Sequence, residues 1–265
     1  MMKSRLLHLV IAVVAAIAVG VWLLTPPTSA RGLPACKPEP RVIPPGFKAY
    51  GKSYSEWAAR WWQWAWSIPK PVNPMLDLNG DDADEGQIGD VWFLAGCLGE
   101  APSLPVDRTC EIPAGKALFF PIINLAWLTF PEDMGGSDPE HYPGDPFKWF
   151  IENEWEGFAD MGIRPLLNYF MDTATELWCE IDGKPVRNIK RFREDSAVTS
   201  IWLPEDDAYP WDEWYPDRSE GIYGPTADAG YYLMVAPLAP GEHTIEFHGK
   251  MWSEQHVIYH LTVVE

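Results

Sequence analysis

GYYLMVAPLAPGEHTIEFHG, residues 230–249, is the stretch on which the fold turns. Tyr231–Ala236 is a short apolar run of the kind that fills a buried strand. Pro240-Gly241 supplies turn chemistry. His243–His248 then alternates polar with apolar residues, the period of a strand with one face in a core. Further strand signals stand at Val91–Cys97, Cys110–Ile123, Leu177–Asp182, Lys184–Phe192, Thr199–Leu203 and Val257–Val264. Asp182-Gly183 marks a tight turn between two of them. From Pro131 to Glu176 the pattern changes to helix. Asp145-Pro146 places an N-cap before a proline at the first helical position, and Pro165 opens a second helix over 165–175. Closely spaced strands, one helical insertion near 145–176 and no regular βαβ alternation predict a mainly β fold. The expected architecture is a β-sandwich of Ig-like or jelly-roll type in a single domain over residues 51–265.

An N-terminal helix precedes the strands. Trp57, Trp61, Trp62, Trp64 and Trp66 fall in the run SYSEWAARWWQWAWSIP, residues 53–69. Ser53 and Glu56 have the spacing of a capping box. Tyr54, Trp57, Trp61, Trp64 and Ile68 share one helical face, which predicts deep burial of those tryptophans. Glu56, Arg60, Gln63 and Ser67 make a narrow polar stripe. Trp62 and Trp66 point away from the main face, where a simple amphipathic helix would be polar. Such a helix needs cover on nearly all sides, from its own domain, a partner or a membrane surface.

Before it, Lys3 and Arg5 precede an uncharged run from Leu6 to Leu24, and small residues end at Ala30. Residues 1–30 read either as a cleaved export signal or as a retained transmembrane anchor through residues 6–24. Lipidation of Cys36 is a third reading. All three place the folded part outside the cytoplasm, at the periplasm or cell surface. Residues 31–50, with Pro34, Pro38, Pro40, Pro44 and Pro45, read as an extended tether.

The chain carries 20 Lys and Arg against 38 Asp and Glu, a net charge of −18. Residues 1–30 hold two of the basic residues and no acid, so their loss leaves 18 against 38, a net of −20. A surface so acidic repels phosphate backbones and excludes nucleic acid as a partner. The four cysteines, Cys36, Cys97, Cys110 and Cys179, suit an oxidising compartment. They contain no C-x-x-C, so a zinc ribbon or thioredoxin-like site is not supported. Cys97 and Cys110 flank a loop between expected strands and are expected to be joined, with Cys36 then paired to Cys179.

The segments at 50–74, 86–96 (GQIGDVWFLAG), 108–124 (RTCEIPAGKALFFPIIN), 230–249 and 259–263 (YHLTV) resemble an uncharacterised family of exported bacterial Trp-rich β-sandwich proteins. The resemblance covers about half the chain, in blocks near 50–124, 177–190 and 229–263, and implies an exported β-rich domain, with no activity, ligand or catalytic residue attached. The family pattern has a cysteine where this chain has Ala83 and another residue where it has Cys97, which implies that the partner of Cys110 has moved along the chain.

Four constellations carry chemistry. In DLNGDDADEG, residues 77–86, Asp77, Asn79, Asp81, Asp82 and Asp84 present oxygens suited to calcium. An EF-hand is excluded, because its glycine would fall at Asp82 and its bidentate glutamate at Ile88. The other reading is a solvated acidic turn. Glu246, His248 and His260 would converge into a zinc- or copper-like set if the last two strands pair. Tyr209, Trp211, Trp214 and Tyr215 lie among carboxylates in residues 204–221, a mixture suited to a sugar ring or a protein partner. Trp62 and Trp66 would extend such a surface. No G-x-S-x-G, H-E-x-x-H or P-loop is present. The functional expectation is a non-catalytic exported protein that binds a protein partner or a glycan at the cell envelope, with a membrane-anchored accessory subunit of a larger complex as one form of it. The alternatives are an extracellular glycan-active enzyme and a metal-dependent protein.

Overall fold

Two sheets carry the fold of the computed structural model, which describes residues 39–98, 101–128, 163–209 and 218–265. The first is built around β9 (Gly221–Val235), which pairs with β1 (Val42–Ile43), β4 (Ala117–Leu128), β7 (Arg193–Asp195) and β8 (Thr199–Leu203). The short β2 (Val91–Phe93) adds parallel to β4. The second sheet has the order β3 (Val106–Pro113), β11 (Glu254–Val264), β10 (Gly241–Lys250), β5 (Thr175–Ile181), β6 (Lys184–Pro185), with β3 parallel to β11. Two helices accompany them among the described residues, α1 (Tyr54–Ser67) and α2 (Ile163–Met171).

The chain is therefore mainly β. Successive side chains of a strand point to opposite faces, and β4 shows what that places together. Phe119 packs on Tyr54 of α1 with ring centres 5.6 Å apart, while Phe120 packs on Phe247 of β10 at 5.2 Å. β4 is thus covered by α1 on one side and by the second sheet on the other. The same double cover explains why Thr226–Val235 of β9 is buried at every position.

α1 begins with the expected capping box: the Ser53 hydroxyl accepts from the Glu56 amide at 3.2 Å, and the Ser53 amide donates to Glu56 Oε2 at 2.7 Å. Trp61 and Trp64 are buried, and their indoles donate to the carbonyls of Leu94 at 3.0 Å and Glu85 at 2.9 Å. Trp62 and Trp66 are buried as well, with ring centres 4.5 Å apart. Trp57 departs from the expectation of deep burial. It sits at the edge of the core, half-buried, with its indole donating to Ala49 at 2.8 Å and Lys52 beside its ring.

Three further differences have local causes. The run Cys110–Ile123 is two strands, because the chain leaves the second sheet after Pro113 and enters the first at Ala117. Lys184–Phe192 keeps only two residues of strand before a 3₁₀ turn at Ile189–Phe192. Within the expected tether, Val42 and Ile43 pair with Val235 and Met234, and the Tyr54 hydroxyl donates to the Ile43 carbonyl. The Asp182-Gly183 turn forms as read, with φ of 51° and 70° at its two central residues, the pair of positive values that a type I′ hairpin turn requires. The helix expected to open at Asp145 lies outside the described residues, whereas α2 falls where Pro165 predicts a helix.

Candidate functional site

The expected constellations separate in the fold. In the acidic loop, the Asp77 carboxylate accepts from the amides of Asn79 and Gly80 at 2.9 Å each and of Asp82 at 3.2 Å. Asn79 and Asp81 bond to one another. These oxygens are occupied in turn-forming bonds, and Asp82 is held above the usual carboxylate range by burial and by the neighbouring Asp77, Asp81 and Asp84. Glu246, His248 and His260 do not converge. Glu246 pairs with His256 at 2.8 Å, His248 with Glu254 at 3.0 Å, and His260 with Asp107 at 3.0 Å across the β3–β11 edge. The register explains it: β10 and β11 set His248 opposite His256, and His260 opposite Thr244. Among the described residues no three His, Cys, Asp or Glu side chains are grouped to hold a metal.

Cys97, Cys110 and Cys179 are buried free thiols, so the expected Cys97–Cys110 bond is corrected. Cys97 lies beside Arg108, whereas the charges that act on Cys110 are those of Asp84, Asp77 and Glu111. Cys36 lies outside the described residues.

Arg108 is the element that shapes this region, and no pattern in the sequence marks it. β3 alternates buried and exposed residues, with Val106, Arg108, Cys110 and Ile112 inward, so a guanidinium occupies a core position. It donates to the carbonyls of Asp77 at 2.9 and 2.6 Å, of Ala95 at 2.7 Å, and of Gly96 at 3.3 and 3.2 Å. It also donates to the Tyr259 hydroxyl at 2.7 Å. The acidic loop, the exit of β2 and β11 are thereby fastened to one side chain.

The exit of β2 forms one wall of a cleft of about 280 Å³. α1 contributes Trp62 and Trp66, β4 contributes Asn124, the β10–β11 turn contributes Trp252 and Ser253, and β11 contributes Gln255. Tyr209 closes another side. Its loop is held by a buried ion pair, Arg218 to Asp207 at 2.7 Å, and by the Tyr209 amide donating to Asp207 Oδ1 at 2.9 Å. Trp211, Trp214 and Tyr215 lie outside the described residues, so only Tyr209 of that aromatic group is placed.

The described lining carries no charged side chain. The two titratable groups in it stay neutral, since burial pushes both the Cys97 thiol and the Tyr209 phenol up. Gln255 is buried, its Nε2 donates to the Cys97 carbonyl at 3.2 Å, and its Oε1 has no donor among the described residues. That oxygen lies over Gly96, where a Cβ would fall 2.1 Å from it, so only glycine permits the approach.

Behind the cleft wall is a buried polar network. Asn124 donates to the Tyr232 hydroxyl at 3.0 Å, and Tyr232 donates to the Asp228 carboxylate. Burial raises Asp228 to about 6, against the lowering effects of Tyr232, Ser196 and the Trp62 indole. Comparison of the chain with protein-family models, with curated proteins and with solved structures returned no match.

Proposed function

We propose that this chain is an exported envelope protein that works by binding, with the cleft at Trp62, Trp66, Asn124, Tyr209, Trp252 and Gln255 as its ligand site. The observation that carries the reading is the composition of that cleft: aromatic and uncharged, with the amides of Asn124 and Gln255 and the Ser253 side chain among its lining residues. Concave apolar sites with a few fixed polar groups are the usual form of a small-molecule site. A glycan-active enzyme would need two carboxyl groups facing its substrate, and none of the described lining residues is acidic. Asp207, the acid nearest in sequence to Tyr209, is committed to Arg218.

The accompanying readings are that the two sheets form a sandwich of Ig-like or jelly-roll type, and that the chain belongs with the exported Trp-rich proteins it resembles. Residues 1–30 deliver it outside the cytoplasm, as a cleaved signal or as an anchor through residues 6–24. Among the described residues no helix is long and apolar enough to cross a membrane. The test is native mass spectrometry of the full chain isolated from its own cell envelope. Wild type should carry a stoichiometric bound species, and Trp252→Ala should lose it at an unchanged melting temperature, because Trp252 is 58 % exposed and little of the core rests on it. A wild-type chain that arrives empty, or a variant that keeps the species, overturns the reading.

A further inference from the structure

Charge is unevenly placed on this fold. Residues 184–193 hold Lys184, Arg187, Lys190, Arg191 and Arg193 and no acid, in a chain of net charge −18. The backbone sets which of these cations face outward. Positions i and i+3 of a 3₁₀ helix share a face, and the turn at Ile189–Phe192 buries Ile189 and Phe192. Lys190 and Arg191 are left on the solvent side, and Arg187, just before the turn, is exposed with them. Two of the five cations are engaged within the fold: Lys184 pairs with Glu39, and Arg193 pairs with Asp172 at 2.7 Å. Glu176, which shares a hollow with Lys190 and Arg191, is drawn to Lys250 at 3.9 Å. Arg187, Lys190 and Arg191 have no ion-pair partner among the described residues.

This cationic end is also where the chain enters the fold. Pro40 and Val42 line a hollow of about 460 Å³ together with Arg187 and Phe192. The entering arm holds Arg41, Lys48 and Lys52 and no acid between Pro40 and Ser55. Residues 25–38 separate Leu24 from Glu39, fourteen residues that reach at most about 50 Å when extended. A bilayer that holds residues 6–24 therefore stands within reach of this end.

We propose that Arg187, Lys190 and Arg191 form a docking face for an anionic lipid surface, on which the domain rests with its cationic end toward the membrane. This depends on the export reading above and not on the cleft. Guanidinium and ammonium groups donate to headgroup phosphates in charge-assisted bonds. Each cation near an anionic surface strengthens binding roughly fivefold. A planar surface touches one end of a domain, and charges farther off than a Debye length, about 8 Å at physiological salt, are screened from it. The acids elsewhere on the chain then oppose any other orientation. A retained anchor would raise the effective concentration of headgroups at this end, so three cations suffice where a free protein would need more. A soluble acidic partner offers the same sign of charge but gains nothing from the chain's point of entry.

The probe is a vesicle of three parts phosphatidylcholine to one part phosphatidylglycerol, with pure phosphatidylcholine as its control. The full exported chain is studied with whatever N-terminus it carries, and amide hydrogen exchange is read over residues 186–193. Exchange there should slow about fivefold or more on the anionic vesicle relative to the neutral one. The acidic loop at 77–86 should exchange alike on both. Salt at about 1 M, where the Debye length is about 3 Å, should abolish the protection. A triple variant, Arg187→Gln with Lys190→Gln and Arg191→Gln, should lose it at an unchanged melting temperature, because all three side chains are exposed. Equal exchange on the two vesicles, protection that survives in the triple variant, or equal protection of residues 77–86 each overturns the proposal. Protection by soluble polyglutamate without protection by phosphatidylglycerol would assign the face to an acidic protein and overturn the lipid assignment. Recovery of the chain in the cytoplasmic fraction would sink the export reading and the membrane assignment with it, whereas failure on vesicles alone sinks only the docking face.

Discussion

Arg108 is a wholly buried guanidinium whose hydrogen bonds, among the described residues, go to backbone carbonyls and one tyrosine hydroxyl. Removing it leaves several buried acceptors unpaired, at about 1–3 kcal/mol each. Arg108→Ala should therefore lower the unfolding free energy by about 3–5 kcal/mol, read as a shift of the urea midpoint at constant slope. Arg108→Lys should recover little of it, because an ammonium cannot span carbonyls on opposite sides of a planar fork. A lysine variant as stable as wild type would show that charge, not geometry, fastens the acidic loop. Asp228 makes a second prediction. Its carboxyl is raised to about 6 by burial, above the unfolded value of about 3.9. The folded state then holds the proton more tightly, so stability from this group is fully present below about pH 4 and falls as pH rises toward about 6. The loss is about 2–3 kcal/mol. Asp228→Asn should remove that slope, and parallel stability curves for wild type and variant between pH 4 and 7 would refute the assignment.

At the scale of the element, α1 is a helix with two buried sides and one partial edge. Trp61 is 1 % exposed and Trp62 6 %, and Trp→Ala at either should cost about 3–5 kcal/mol. Trp57, half-buried, should cost about 2 kcal/mol, since less of its surface is removed from water. Denaturant titration of the three variants checks the order, and equal losses at Trp57 and Trp61 would contradict it. The helix was legible because its signals are local: the capping box, the spacing of the tryptophans, and the doubled apolar face at Trp62 and Trp66. Thr199–Leu203 and the Asp182-Gly183 turn were legible for the same reason. The Cys110–Ile123 run was not, because an apolar stretch does not reveal where a chain changes sheets. Nor was the cleft, whose walls come from separate segments. Tyr209 stood out through its aromatic neighbours, while Asn124 and Gln255 are single amides in strands and carry no pattern. The histidines alternate along both strands, but alternation does not set the register that decides which side chains meet.

At the scale of the whole molecule, the thiols record how completely two sheets and a helix exclude solvent. Burial is the first cause of the upward shift at Cys97, Cys110 and Cys179, and it takes Cys110 to about 12. The thiolate is the species that attacks a disulfide or an alkylating reagent. At pH 8 these three sites therefore hold very little of it. In the folded, reduced chain all three should resist iodoacetamide, and denaturant should expose them together, since they sit in one continuous core. Oxidation in an export compartment would then have to precede folding. The partners of Cys97 in the fold are Arg108 and the Gln255 amide, and Cys110 lies under the influence of the acidic loop instead. Peptide mapping of the folded, exported chain without reductant should accordingly find no Cys97–Cys110 link. Recovery of that linked peptide from protein with native stability would show that the exit of β2 and the middle of β3 approach closely enough to exchange Arg108's grip on Gly96 for a covalent bond.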